Sequence, residues 1–295
     1  MTSLSDIYQI TLKELAALIE QTDLLDPASP VRLKKNLSDS TLAQIPFLAS
    51  AESLLNLIAL QPNQSLKLTA RGALPVKYVK ELYAQSLYKD PPIAYGYTIL
   101  AREDSSDYIG MLHFILQQTP YTTCKNNALC LSPKGKKWLN SPDRTVLLQV
   151  LFNAFINKYL LSSLDGLPNS DLIQYSIPWT MYMLLIHQKS DIPAQYLTEL
   201  LFFAYPGQLD VFEPDSNHSW QQPALVNACN AYKARVFTRC LDFFGWTQHS
   251  PKPFSGSDKT PCVGASQLLR DCFELHQRKP IAGKIGQKIP DRTHH

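Results

Sequence analysis

A chain of 295 residues, 45% hydrophobic and 18% charged, is long enough for about two domains with sizeable cores. Its longest apolar runs, Met181 to Ile186 and Leu200 to Tyr205, fall far short of the roughly 20 residues a membrane-spanning helix needs, so a soluble protein with no membrane partner is expected. The net charge of +3 is unevenly spread, with balances of −2, +4, −3 and +4 over residues 1–50, 51–150, 151–250 and 251–295, the asymmetry a polyanion-binding surface would show.

From the N-terminus, Met1 to Ile10 carry acidic Asp6 and no basic residue ahead of an apolar core, unlike a secretory signal, and cytoplasmic residence is expected. Residues 4–21 place Ile7, Ile10, Leu12, Leu15, Leu18 and Ile19 close to helical spacing before Pro27 and Pro30, which predicts an N-terminal helical cap over 1–45. A first module follows over 46–92. Ser50 suits the cap of a helix through Leu54, Leu55 and Ile58, Leu66 to Leu68 suit a strand, and Pro75 suits the first position of a helix bearing Val76, Val79 and Leu82.

A second module is expected over 93–144. Asp104 or Ser105 can cap a helix with Tyr108, Ile109, Leu112, Ile115 and Leu116 on one face, and a hairpin over Tyr121 to Leu131 turns at Lys125-Asn126-Asn127. Ser132 and Pro133 then start another helix. Residues 145–222 read as a helical layer. Over 223–277 a long helix from Ala224 ending at Gly245, a loop and a helix Ala265 to Leu275 predict a third, degenerate module, and 278–295 a basic flexible tail.

One pattern, Leu-x-Leu-Ser/Thr-x-Lys/Arg-Gly, occurs twice, at Leu66 to Gly72 and Leu129 to Gly135. In each copy the alternating leucines suit a half-buried strand, the hydroxyl residue a helix start and the basic-Gly pair a strand-to-helix turn. Two tandem winged-helix-like modules are the expectation, and the fold class is mainly α with short β-hairpins plus a helical layer.

The basic residues define the candidate site. Lys134, Lys136 and Lys137, with Lys125 at the hairpin turn and Arg144 beyond, can meet phosphates, although an ordinary solvated helix face accounts for three lysines equally well. The lysines sit at the N-terminal end of their helix, the unfavourable end for its dipole. The helix Asp107 to Gln117, in the position of a recognition helix, has no Arg or Lys and is crowded by Glu103, Asp104 and Asp107. Pro75 to Gln85 is the better reader, with Lys77 and Lys80 exposed beside Tyr83 and Gln85.

Other motifs are weaker. Gly256-Ser257-Asp258-Lys259-Thr260 lacks the Gly before Lys that a phosphate loop requires. His113 and His187 read as hydrogen-bonded histidines at the border of apolar faces, the tryptophans and Phe202, Phe203 and Tyr205 as core, and the six cysteines as buried free thiols. No cofactor, metal or catalytic residue is expected.

Leu66 to Tyr83, Leu-Lys-Leu-Thr-Ala-Arg-Gly-Ala-Leu-Pro-Val-Lys-Tyr-Val-Lys-Glu-Leu-Tyr, resembles the helical region of the plasmid open-reading-frame-three-like group of plasmid-borne and insertion-sequence passenger proteins. Leu129 to Leu139 resembles that group's downstream strand and helix, and Leu151 to Pro168 is also similar, so the resemblance covers about residues 45–170. It implies a bacterial protein of mobile or horizontally acquired DNA, carries over no catalytic residue, and departs from the group in lacking its β-rich passenger core. The leading expectation is a non-enzymatic protein binding double-stranded DNA. The alternative is a protein-interaction scaffold in which the modules pack on each other or on a partner protein, and the third class is an enzyme whose site the sequence does not reveal.

Overall fold

The computed structural model describes residues 29, 31–187, 192–214, 222–251 and 261–275. The expected helix over 4–21, the segment Gly256 to Thr260 and the basic tail over 278–295 lie outside the described residues. The architecture is mainly helical with three small antiparallel sheets among the described residues. No described helix is long and apolar enough to cross a membrane.

Strand β1 (Val31–Leu33) and the short helix α1 (Asp39–Leu42) lead into α2 (Pro46–Ala59). Pro46 occupies the first turn of α2, where its missing N–H is no loss, and extended Ile45 is the cap. The cap expected at Ser50 is wrong, because Ser50 lies inside this helix, buried, with its hydroxyl 2.9 Å from the Tyr108 hydroxyl. Strand β2 (Ser65–Lys67) is followed by a turn in which Gly72 has φ +78°, then α3 (Val76–Gln85), for which Pro75 is the cap and not the first residue.

Beyond the short α4 (Pro91–Ala94), helix α5 (Asp107–Gln117) is capped by Ser106, not Asp104 or Ser105. Strands β3 (Thr122–Lys125) and β4 (Ala128–Leu131) form a hairpin whose turn, Asn126-Asn127, has φ +52° and +54°, the mirror-image turn that matches strand twist. Ser132 and Pro133 start α6 (Pro133–Asn140) as cap and first residue.

The two leucine strands of the sequence repeat lie in one sheet, ordered β2-β4-β3, with Leu66 directly opposite Leu129. Both side chains are fully buried, and α2 packs on both strands. A three-residue strand pair cannot hold a sheet alone, so the copies supply neighbouring strands of one unit, and the expected boundary at 92–93 runs through it. The basic-Gly pairs also differ. Gly72 lies in a left-handed turn, whereas Gly135 is inside α6, where a Cβ would come within 2.2 Å of the Tyr121 carbonyl oxygen.

Helix α7 (Arg144–Lys158) buries Leu147, Leu148, Leu151, Phe152, Phe155 and Ile156, apolar on more than one face as a central helix must be. Helix α8 (Asp171–Tyr175) leads to α9 (Ile177–Ile186), β5 (Ile192–Pro193) and α10 (Ala194–Ala204). Helix α11 (Ala224–Tyr232) continues as π-helix over Lys233–Leu241 and turns at Gly245, with φ +70°. Then come β6 (Thr247–Ser250), β7 (Cys262–Ala265), α12 (Gln267–Cys272) and β8 (Phe273–Leu275), which pairs with β1.

Strand β5 pairs with β7, and β7 with β6, giving the order β5-β7-β6. Setting aside the short α4 of the first, helix, strand, helix, helix, strand, strand, helix therefore occurs twice, over 46–140 and 177–272, and each sheet places the unit's last strand in the middle. The residues expected as a helical layer thus divide: α7 and α8 bridge the units, while α9, β5 and α10 open the second. The units share one core. Phe47 of α2 packs against Phe244 at a 4.9 Å centroid distance and against Phe155 at 5.7 Å, and Trp246 stacks on Phe244 at 4.5 Å.

Candidate nucleic-acid interface

The candidate basic residues fall into three groups on three elements of the first unit. On α3, Lys77 and Lys80 are exposed one turn apart, with the Lys77 ammonium 4.4 Å from the centre of the Tyr78 ring. Tyr83, expected beside them at the surface, is instead buried, and burial pushes its hydroxyl pKa up to about 12.

On the sheet, Lys125 is exposed at the end of β3. Its cross-strand partner is Ala128, and the residue on the far side of Ala128 is Lys67 of β2. Residues paired across antiparallel strands share a face, so Lys67 and Lys125 flank Ala128 on the outward face while Leu66 and Leu129 point inward. The turn is held by Asn127, whose amide donates to the Thr69 carbonyl at 2.8 Å and whose carbonyl accepts the Leu68 N–H at 2.9 Å. Lys67 was missed in the sequence; alternation with buried Leu66 and Leu68 marks it as outward-facing, but the register beside Lys125 was not readable.

On α6, Lys134, Lys136 and Lys137 are exposed while Gly135 and Trp138 are buried. The Lys134 ammonium lies 5.4 Å from the centre of the Tyr121 ring. None of these seven lysines forms an ion pair with a carboxylate among the described residues.

Arg144 does not belong with them. Its Nε and Nη2 donate to both carboxylate oxygens of Glu52 at 2.6 and 2.9 Å, and Nη1 donates to the Asp39 carbonyl at 3.1 Å. The hydrogen-bonded Glu52 carboxylate raises its pKa further, so the guanidinium is committed to joining α7 to α2. Other arginines are committed likewise. Arg235 donates to both oxygens of Asp165 at 2.8 and 2.7 Å, and Arg239 donates to Asp107 at 2.9 Å and Asp165 at 3.3 Å.

Helix α5, expected in the position of a recognition helix, buries seven of its eleven residues. It packs on α2, α3 and α7, and Phe114 meets Tyr159 edge-on at 5.2 Å. Its acidic start is held by Arg239. Base readout by this face would require pulling it out of the core.

His113 is hydrogen-bonded through both ring nitrogens. The Glu103 carboxylate lies 2.9 Å from His113 Nδ1 and also accepts the Leu74 N–H, so Nδ1 carries the proton and Nε2 accepts from the Gln117 amide at 2.7 Å. His187 is not hydrogen-bonded as expected: its Nε2 is buried without a hydrogen-bond partner among the described residues, and burial lowers its pKa. Cys124 is exposed, not buried as expected, while Cys229, Cys240 and Cys272 are buried. Among the described residues, no three His, Cys, Asp or Glu side chains are grouped to hold a metal ion. Comparison of the chain with family models, with curated proteins and with solved structures gave no match.

Proposed function

We propose that this chain is a non-enzymatic protein that binds double-stranded DNA by its phosphates, through the lysine surface of the first of two winged-helix-like units. The observation that carries this reading is the pairing of exposed Lys67 and Lys125 on one outward sheet face, without a carboxylate partner among the described residues. The helix-strand-helix-helix-strand-strand order, with the hairpin as a wing, supports it. Lys77, Lys80, Lys134, Lys136 and Lys137 extend the same charge over neighbouring elements. Because α5 is buried, contact is with backbone phosphate and carries little sequence preference. A bacterial role in mobile DNA, implied by the resemblance of residues 45–170, is part of this proposal.

Counterion release makes such binding steeply salt-dependent, and the slope shrinks by about one for each phosphate that is no longer neutralised. Anisotropy titration of labelled duplex DNA at low and near-physiological salt tests this. Lys67→Ala/Lys125→Ala is expected to weaken binding and flatten the slope by about two, and the triple Lys134, Lys136, Lys137 to Ala variant to weaken it on its own and flatten the slope by about three. No binding at low salt, or binding indifferent to both variants, overturns the reading. The scaffold alternative then stands, favoured by the contacts that join the two units, Tyr108 against Phe243 at a 5.0 Å centroid distance and Arg239 on Asp107.

A further inference from the structure

The open side of α5 is a cleft. It has a volume of about 720 Å³ and lies between the β2–α3 turn, the first turn of α5 and the segment after α7. That volume is within the roughly 300–1,000 Å³ of small-molecule sites. Val76, Phe114 and Leu164 are 41%, 37% and 43% exposed, and all three converge on it, with Met111 and Tyr159 completing an apolar floor.

The room in this cleft depends on Gly110. A glycine inside a helix is destabilising relative to alanine, so its presence calls for a reason. Packing supplies none, since a Cβ there would meet only the Glu103 carbonyl oxygen, at 4.0 Å. What the missing side chain leaves is space in the cleft wall.

The charged rim is nearly all committed. Glu103 is held by Leu74 and His113, Asp104 by Arg102 and Asp107 by Arg239. Arg71 is the exception, an exposed cation with no hydrogen bond or ion pair among the described residues. We propose that this cleft binds a small amphipathic molecule, its apolar body against Phe114, Met111 and Tyr159 and an anionic head group on Arg71. The proposal does not rest on the nucleic-acid reading.

The test is fluorescence titration of the full chain with 8-anilino-1-naphthalenesulfonate, with decanoate as competitor and uncharged N-phenyl-1-naphthylamine as the matched neutral probe. Saturable one-to-one binding displaced by decanoate is expected. Gly110→Leu, which fills the cleft, and Leu164→Asp, which puts a charge on its exposed edge, are each expected to weaken the sulfonate probe by about tenfold or more, a loss of roughly 1.4 kcal/mol. Arg71→Ala is expected to weaken the sulfonate and decanoate while leaving the neutral probe unchanged. Two variants guard against misfolding, and circular dichroism with the thermal midpoint shows which are folded. Non-saturable binding, or binding unchanged in a folded cleft variant, overturns the site. Equal loss of charged and neutral probes in Arg71→Ala overturns the anionic head group.

Discussion

Ser132 and Ser266 occupy the same position in the two units. Each backbone N–H donates to an aromatic residue's carbonyl, Tyr121 at 3.0 Å and Trp246 at 3.1 Å. Each hydroxyl donates to the preceding residue's carbonyl, Pro120 at 2.6 Å and Gly245 at 2.8 Å, and accepts the N–H three positions on, Gly135 at 3.0 Å and Leu269 at 3.1 Å. One side chain thus closes the hairpin onto the strand entrance and caps the following helix, in both units.

Removing either hydroxyl takes away a cap and leaves a carbonyl without its donor. Ser132→Ala and Ser266→Ala are each expected to destabilise the chain by about 1–2 kcal/mol. Urea unfolding would show this as a lowered midpoint at unchanged slope, and an effect within error at both sites would contradict the equivalence.

Gly135 and Gly110 make opposite predictions. A Cβ at Gly135 would collide with the Tyr121 carbonyl oxygen at 2.2 Å, backbone that cannot move without breaking the bond from Ser132. Gly135→Ala is therefore expected to destabilise by about 2 kcal/mol or more. Gly110→Ala meets nothing nearer than 4.0 Å and is expected to stabilise by about 0.5–1 kcal/mol through helix propensity. Thermal melts of the pair, run side by side, read the difference in sign.

Arg235 and Asp165 form a nearly fully buried pair, 2% and 8% exposed, and the guanidinium also satisfies the carbonyls of Leu167 and Pro168 at 2.9 Å. Arg235→Met leaves a buried carboxylate and is expected to destabilise by about 3 kcal/mol, the low end for a broken buried pair because Arg239 still reaches Asp165. Adding Asp165→Asn to that variant should restore part of the loss. A double-mutant cycle in urea measures the coupling, and strict additivity would argue against the pair.

Asp90 gives a pH dependence. Its carboxylate is buried, accepts the Ser106 hydroxyl at 2.6 Å and the Tyr108 N–H at 3.3 Å, and has its pKa raised chiefly by desolvation. A raised folded-state pKa means the folded chain holds this proton more tightly than the unfolded chain. Its contribution is then fully present below the ordinary carboxylate pKa and is lost as pH rises through the raised one. Relative to Asp90→Asn, the native chain should gain stability as pH falls from 7 towards 4. Unfolding midpoints of both proteins across that range would show the gap move in this direction, and a constant gap would refute the assignment.

Local chemistry was legible in the sequence where it is self-contained. Ser132-Pro133 starts a helix because a hydroxyl acceptor and a ring without N–H suit its first turn, wherever that helix packs. Asn126-Asn127 turns a hairpin because asparagine tolerates positive φ, and Gly72 and Gly245 take left-handed backbone for the same kind of reason. The apolar stripe of α5 predicted a buried face, and residues Tyr108, Ile109, Leu112, Ile115 and Leu116 are buried.

Tertiary structure decided what those pieces add up to. The Leu-x-Leu repeat suggested two modules, yet its strands pair with each other, because pairing is a long-range choice settled by which leucines α2 can cover together. The duplication lies elsewhere, between units whose shared hydrogen bonds around Ser132 and Ser266 rest on backbone carbonyls, groups present at every residue and therefore silent in a sequence. Charge behaved likewise. Composition placed an excess of basic residues over 51–150 and 251–295, but only folding brought Glu52 to Arg144 and set Lys67 beside Lys125 across β4, since the partner of a charge depends on which surfaces meet in space.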